Sequence, residues 1–346
     1  MMKRYWRLTA LFLAVFLLFS GCAGTETQQS KIPDNSSFFV RFIDVGQADA
    51  ALIQCDGHYM LIDGGNAADS NVIYTVLKNT GVKKLDMVVG THGHEDHIGG
   101  LPGAYNYTTA DMTLCPVTRY DSKAFSSFAS LAESRGGGIT VPSVGDIYWL
   151  GSARVDILGL NAGEDENDRS IILKITYGDT SFLFTGDAEY EGEKAVLSSG
   201  ADLSASVLKV GHHGSKSSTG YVFLREVMPQ IAVISVGEDN DYGHPTEEVL
   251  SRLRDADVTV YRTDLQGDIL VTSNGKSLTV ETGKKTAPSV SEEKEQTYIL
   301  NTNTKKFHLP SCGSAAQISD ANREVYTGRR EDVLKSGYTA CGNCTP

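Results

Sequence analysis

Residues 85–100 read Leu85-Asp86-Met87-Val88-Val89-Gly90-Thr91-His92-Gly93-His94-Glu95-Asp96-His97-Ile98-Gly99-Gly100. Leu85–Val89 is a short apolar run that stops at a glycine, the pattern of a buried strand with a loop at its end. Three imidazoles and the carboxylate of Asp96 then fall between His92 and His97. On an extended backbone His92 and His94 point to one side, whereas Asp96 and His97 lie past the turn and reach a second position nearby. Nitrogen and oxygen donors of this kind suit Zn²⁺, Mn²⁺ or iron. A solvated polar loop has no need of four such donors at this spacing, so the stretch reads as a metal loop.

Outward from it, Phe38–Ile43, Ala50–Gln54 and Tyr59–Ile62 are β-rich runs separated by turn residues, and Asn71–Lys78 has helical apolar spacing. Further strands are expected at Arg154–Leu158, Ser170–Tyr177, Ser181–Thr185, Ser206–Val210 and Ile231–Val236, with helices at Glu189–Ser198, Tyr221–Met228 and Thr246–Ala256. Strands Val258–Arg262, Asp268–Thr272 and Leu278–Thr282 close the region, the last two around Asn274-Gly275. Alternating strands and helices predict an α/β layered architecture. Histidines recur later in the chain as the pair His212-His213 and as His244 before Pro245. A helix-capping turn is the plainer reading of His244, and His58 reads as a surface residue.

The metal loop resembles the His-x-His-x-Asp-His signature of the metallo-β-lactamase superfamily. Leu61-Ile62-Asp63-Gly64-Gly65 and Phe184-Thr185-Gly186-Asp187-Ala188 are similar to its other aspartate motifs. Phe42-Ile43-Asp44-Val45-Gly46-Gln47-Ala48-Asp49-Ala50, Leu208-Lys209-Val210-Gly211-His212-His213-Gly214-Ser215 and Tyr242-Gly243-His244-Pro245 resemble the hydrolase domain of Rec2-type competence proteins, DNA-uptake channels. The resemblance covers residues 38–283 and not the family's channel, so it implies no DNA transport. It implies an αββα sandwich and an active site with two divalent metals, Zn or Mn. His92 and His94 would hold the first ion. Asp96, His97 and His212 would hold the second, with Asp187 shared. Superfamily members often place a further histidine between the motifs, and this chain has none between His97 and His212. Asn167, Asp168 or a water is the expected substitute.

Paired ions of this kind generate a nucleophilic hydroxide at neutral pH and stabilise charge on the attacked centre. Asp96, His213 and His244 are the expected catalytic residues, imidazole being suited to proton transfer near neutrality. Ser215 and Lys216 are expected to bind a substrate phosphate. The leading expectation is a metal-dependent phosphodiesterase, a nuclease acting on DNA. The alternatives are hydrolysis of a phosphocholine ester, a lactone or a β-lactam, and a non-catalytic binding protein with a degenerate metal site.

Two ends flank this domain. Lys3, Arg4 and Arg7 precede an apolar stretch Leu8–Phe19, the pattern of an export signal. Leu18-Phe19-Ser20-Gly21-Cys22 resembles a bacterial lipobox, with Phe19 where Leu is usual. That implies lipidation at Cys22, a polar tether over 22–37, and a membrane lipoprotein on the outer face of the cytoplasmic membrane. The plainer alternative is a cleaved signal with Cys22 as a stray thiol. After a polar linker at 284–296, the tail carries His308, Cys312, Cys341 and Cys344, one histidine and three thiols at spacings that suit a closed structural Zn²⁺. Residues 297–346 resemble the zinc module of the Ada DNA-repair family, with His308 in place of a cysteine. A disulfide is the rival reading for an exported chain. Cys55 and Cys115 are open between pairing and burial.

The 346 residues carry 40% hydrophobic and 21% charged side chains, which excludes a disordered chain. No apolar run approaches the ~20 residues of a membrane span, excluding a multi-span protein. The net charge of −12 excludes a polycation that coats nucleic acid. It is concentrated in residues 22–283, with 19 Lys and Arg against 36 Asp and Glu. A polyanionic substrate would therefore rely on bound metal and on local cations such as Lys216. No protein partner is deducible.

Overall fold

Alternate side chains of the first strand enter two different cores, and this period sets the layer order. Phe38, Val40 and Phe42 pack between two sheets, while Phe39 and Ile43 pack against helices on the outer face. The computed structural model describes residues 38–284 and 296–344. The leader with Cys22, the tether and most of the linker lie outside the described residues.

The strands are β1 (Phe38–Phe42), β2 (Ala51–Cys55), β3 (His58–Ile62), β4 (Leu85–Val89), β5 (Ala110–Leu114), β6 (Ile139–Thr140), β7 (Ile147–Leu150) and β8 (Ala153–Gly159). They continue as β9 (Ile172–Tyr177), β10 (Thr180–Phe184), β11 (Val207–Lys209), β12 (Ile231–Ile234), β13 (Thr259–Arg262), β14 (Ile269–Ser273) and β15 (Leu278–Thr282). One sheet runs β15-β14-β1-β2-β3-β4-β5-β6 and the other β13-β12-β11-β10-β9-β8-β7. Both are mixed: β1, β2 and β3 pair antiparallel, and β3 joins β4 in parallel.

Helices cover both outer faces. Ser70–Thr80 buries Ile73, Val76 and Leu77 against the first sheet and ends at Gly81, whose φ of 77° closes the helix. Leu101–Tyr107 and Lys123–Arg135 complete that layer. Tyr190–Ser199, Tyr221–Val227 and Glu247–Asp255 cover the second sheet through Val196, Phe223, Leu224, Val249 and Leu253. The result is an αββα metallo-β-lactamase sandwich.

The loops that carry the site donors are locked to each other by backbone contacts. Gly64 N–H donates to the His97 carbonyl at 2.7 Å and Gly100 N–H to the Gly65 carbonyl at 2.8 Å. A Cβ on Gly100 would lie 1.9 Å from the Gly64 oxygen, so only glycine permits this approach.

Residues 296–344 form a third sheet from β16 (Gln296–Asn301), β17 (Lys306–His308), β18 (Arg323–Gly328) and β19 (Thr339–Ala340), in the order β18-β16-β17-β19. The buried Arg330 side chain pairs with the Asp255 carboxylate and donates to Tyr221 Oη at 3.2 Å. Cys55 and Cys115 are buried and unpaired, which settles their state in favour of thiols.

Candidate metal centre

Three strand ends supply the donors. The loop after β4 carries His92 and His94 and then winds into a short helix, Glu95–Ile98, so that Asp96 and His97 lie one step further on. Asp187 follows β10 through Gly186, where a Cβ would lie 2.8 Å from Ser170 Oγ. His212 and His213 follow β11 in a turn where both take positive φ, 48° and 51°. Non-glycine residues are held in this region only when their surroundings enforce it, a condition frequent at functional sites.

Asp96, His97, Asp187 and His213 form one group whose donor atoms lie within 4.8 Å of one another. His97 Nε2 is 3.2 Å from Asp187 Oδ1 and 3.9 Å from Asp96 Oδ2. His213 Nε2 is 3.3 Å from Asp96 Oδ2 and 3.6 Å from Asp187 Oδ2. Behind the cluster, His97 Nδ1 donates to Asp63 Oδ2 at 3.0 Å, and His213 Nδ1 to the Ser235 carbonyl at 3.0 Å. Asp63 is itself held by the Thr91 N–H and hydroxyl, each at 2.8 Å. With both Nδ1 atoms committed as donors, both Nε2 atoms face the carboxylates, that of His213 within hydrogen-bond distance of Asp96 Oδ2.

That arrangement lacks a positive charge at its centre. His97 Nε2 and Asp187 Oδ1 are buried and have no hydrogen-bond partner. Burial opposes charge on His97, yet Asp187, Asp63 and Asp96 outweigh it and hold the imidazole well above its ordinary range. Burial likewise opposes charge on His213, and Asp187 and Asp49 reverse it, pushing the group up to about 10. Burial would raise Asp187, but His97 and His213 hold it well below the usual carboxylate range. Protons fill the role a divalent cation would take, and the donor set of two imidazoles and two carboxylates fits such an ion.

His92 and His94 lie beside this group, with His92 Nε2 at 3.1 Å from His94 Nδ1. Burial and the neighbouring His97 depress His92 well below the ordinary imidazole range, leaving it neutral and fit to bind metal. Among the described residues, neither belongs to a group of three or more donors. Of the two expected side-chain substitutes, Asp168 is engaged elsewhere: its Oδ1 accepts from Glu189 N–H and Gly192 N–H, each at 2.9 Å, and so caps the helix Tyr190–Ser199. Asn167 Oδ1 is buried without a hydrogen-bond partner. The hydroxyls of Thr91 and Ser170 lie 3.3 and 3.4 Å from His92 Nδ1, on the side away from His94.

The assignment within the His212-His213 pair changes. His213, expected as a proton-transfer group, is the one inside the donor cluster. His212, expected as a ligand, bonds through Nδ1 to Glu189 Oε1 at 2.8 Å and keeps Nε2 at 3.8 Å from Asp187. The opposite swing of the two rings follows from the successive left-handed residues. His244 packs edge-on against His212, ring centroids 5.6 Å apart, and its own outer face stacks on the exposed Tyr242. The Ser215 hydroxyl pairs with Ser217 Oγ at 2.8 Å, and Lys216 is exposed. Glu189, Asp49 and Lys209 are the participants missed in the sequence. Asp49 and Lys209 sit inside quoted motifs, and a charged residue inside an otherwise apolar run was the available signal.

In the tail, His308, Cys312, Cys341 and Cys344 form a separate donor group, beside the four-donor group and the buried Asp49, Asp63 and His97. All of the described cysteines are free thiols, which disfavours the disulfide reading. Burial would raise Cys312, but hydrogen bonds with His308 and Cys344 bring it down to about 6, toward the thiolate that zinc requires.

A helix-flanked double sheet with histidine and aspartate donors at its strand ends defines a metal-binding αββα protein. The profile of the metallo-beta-lactamase superfamily matches residues 43–238, more than half of the chain, and the protein belongs to that superfamily. ComE operon protein 3 of Bacillus subtilis is 30% identical over 250 residues, covering 66% of this chain and 32% of the relative. Competence protein ComA of Neisseria gonorrhoeae is 32% identical over 242 residues, covering 68% and 32%. Recombination protein 2 of Haemophilus influenzae is 28% identical over 237 residues, covering 66% and 28%. The chain therefore spans about a third of the length of these relatives. Among solved structures, the metallo-beta-lactamase fold protein YhfI of Bacillus subtilis superposes with a TM-score of 0.46 at 12% identity, over 68% of this chain and all of that one.

Proposed function

We propose that this protein is a metal-dependent phosphodiesterase, a nuclease that cleaves DNA on the outer face of the cytoplasmic membrane, where a lipid on Cys22 tethers it. The observation that carries the hydrolytic reading is the group of Asp96, His97, Asp187 and His213, with two inward lone pairs left unpaired. Relatedness to competence proteins supports DNA as the substrate. When bound, a pair of divalent ions, Zn²⁺ or Mn²⁺, supplies an activated water and neutralises charge on the attacked phosphorus.

The chain's own residues do the rest. Asp63 and the Ser235 carbonyl fix the two imidazoles in the tautomer that binds through Nε2. Asp96, with its side chain 32% exposed, is the donor that meets solvent and faces incoming substrate. His244 is depressed by burial and by His212 beside it, so it stays neutral at pH 7, and its Nδ1 is buried without a partner. His212 and His244 are therefore placed to take a proton from the attacking water and return it to the departing alkoxide. Lys216 offers the nearby loop's cation to a non-bridging phosphate oxygen. The test is hydrolysis of single-stranded DNA, bis-p-nitrophenyl phosphate and nitrocefin by the full chain reconstituted with Mn²⁺ or Zn²⁺. Cleavage of the first two and not the third supports the reading. Turnover of nitrocefin alone, or of none, overturns it.

A further inference from the structure

Each imidazole of the four-donor group has its own carboxylate behind it. For His97 this is Asp63; for His213 it is Asp49, whose Oδ1 lies 3.3 Å from Nδ1. Asp49 is also tied through Oδ2 to Lys209 Nζ at 2.7 Å, the two side chains being only 6% and 4% exposed. Lys209 Nζ is fixed in turn by the Val210 carbonyl at 2.8 Å. The backbone of Asp49 reaches the remaining loops: its N–H donates to the Asp96 carbonyl at 3.1 Å, and its carbonyl accepts from Gly65 N–H at 2.8 Å. One residue thus touches the segments that deliver Asp63, Asp96 and His213. Asp49, Asp63, Lys209 and Ser235 also line a cavity of about 10 Å³, and Asp49 Oδ1 and Ser235 Oγ are buried there without hydrogen-bond partners.

A buried ion pair contributes little net stability compared with apolar residues of the same shape. Retaining one here needs a reason, and its direction supplies it. Lys209 offsets the cost of burying the Asp49 charge and anchors Oδ2, so that Oδ1 is left facing the outer edge of His213. With the Ser235 carbonyl holding the Nδ1 proton, a carboxylate in that position places its negative charge beside the ring and raises the basicity of the opposite nitrogen. We propose that Asp49, anchored by Lys209, is the positioning residue of His213 and sets the affinity of the Asp96–His97–Asp187–His213 group for a divalent ion. This rests on the metal-site reading above.

The experiment strips the full chain with chelator and titrates it with Zn²⁺ in competition with a chromophoric chelator, then records the d–d spectrum of the Co²⁺ form. D49N is expected to bind the ion of this group about 10–100-fold more weakly, with a shifted Co²⁺ spectrum. D49L/K209M removes both charges, so no lone charge is left buried if D49N fails to fold. It is expected to keep the fold and show the same loss of affinity. Wild-type affinity and an unaltered Co²⁺ spectrum in D49L/K209M overturn the proposal while the metal-site reading stands. A wild-type chain that binds no ion at these four donors overturns both.

Discussion

His97 Nε2 and Asp187 Oδ1 face each other across 3.2 Å, both buried and neither hydrogen-bonded. Because the other nitrogen of His97 is committed to Asp63, the facing atoms are two acceptors unless a cation lies between them. Two acceptors this close in a low-dielectric interior repel, and the fold tolerates the contact because a proton or a metal neutralises it. The sandwich core positions this contact: Phe184 and Val89, on the strands that end at these loops, are packed in the inter-sheet cluster.

Asp187→Asn removes the charge that both imidazoles share. It should empty the four-donor group of metal and lower kcat/KM for a phosphodiester roughly 10²–10³-fold, the scale of losing one preorganised charge-stabilising group. Elemental analysis of the reconstituted variant beside its rate checks this. Full metal content with wild-type turnover would refute the assignment of Asp187.

The two adjacent histidines should separate by the kind of damage they cause. His213→Ala deletes a donor inside the group and should cost the bound ion. His212→Ala leaves the group intact and removes a ring held by Glu189 against His244. Its metal content should be unchanged while turnover falls by about 10²–10⁴-fold, as for loss of an acid–base residue. If His212→Ala loses the metal and His213→Ala keeps it, the roles are those first expected from the sequence.

Much of the sandwich was legible because its strands are short apolar runs bounded by turn residues. Leu85–Val89 and Leu278–Thr282 are found where the sequence places them. The helix Lys123–Arg135 was not anticipated: it is serine-rich and buries only Phe125, Phe128 and Ala132, too sparse a stripe to stand out. The same holds for β7, a mostly exposed strand containing Trp149. At the site, the metal loop follows from donor chemistry at a strand end, and Asp187 from the family resemblance. Which of two consecutive histidines turns inward depends on backbone torsion at His212 and His213, and no residue pattern announces two successive left-handed residues. Asp168 misled for a related reason, since an aspartate before a strand reads as a donor whether it binds metal or caps a distant helix.

The metal-free protein should lose stability as pH rises. His213 stands at about 10 in the fold against an ordinary 6.5, so the folded state holds a proton that the unfolded state releases. The stabilisation is fully present below about pH 6.5 and is lost as pH climbs through about 10. Asp187, held well below its ordinary range, acts at the other end: its contribution is present above about pH 4 and lost as pH falls further. Chelated protein should therefore show its highest Tm between these limits, falling on the alkaline side. Reconstituted protein, with the nitrogen engaged by metal, should lack that alkaline decline. Identical Tm-against-pH curves for the two forms would contradict the metal assignment of His213.

The tail offers a test that is independent of the catalytic centre. Its apolar cluster is small, Tyr298, Leu300, Phe307, Val333 and Tyr338, and a segment of this size gains most of its stability from a cross-link. His308, Cys312, Cys341 and Cys344 supply one, and a structural zinc ion contributes on the order of 10–16 kcal/mol in small peptides at neutral pH. Cys341→Ser should lower zinc content by one ion per chain and open residues 296–344 to protease. Hydrolysis of bis-p-nitrophenyl phosphate should persist, because Arg330 ties the tail to Asp255 and Tyr221 on the outer helices rather than to the donor loops. Unchanged zinc content, or protease resistance equal to wild type, would show that the four donors hold no structural ion. Loss of hydrolysis together with an intact metal loop would mean that the tail orders the catalytic face through that Arg330 contact.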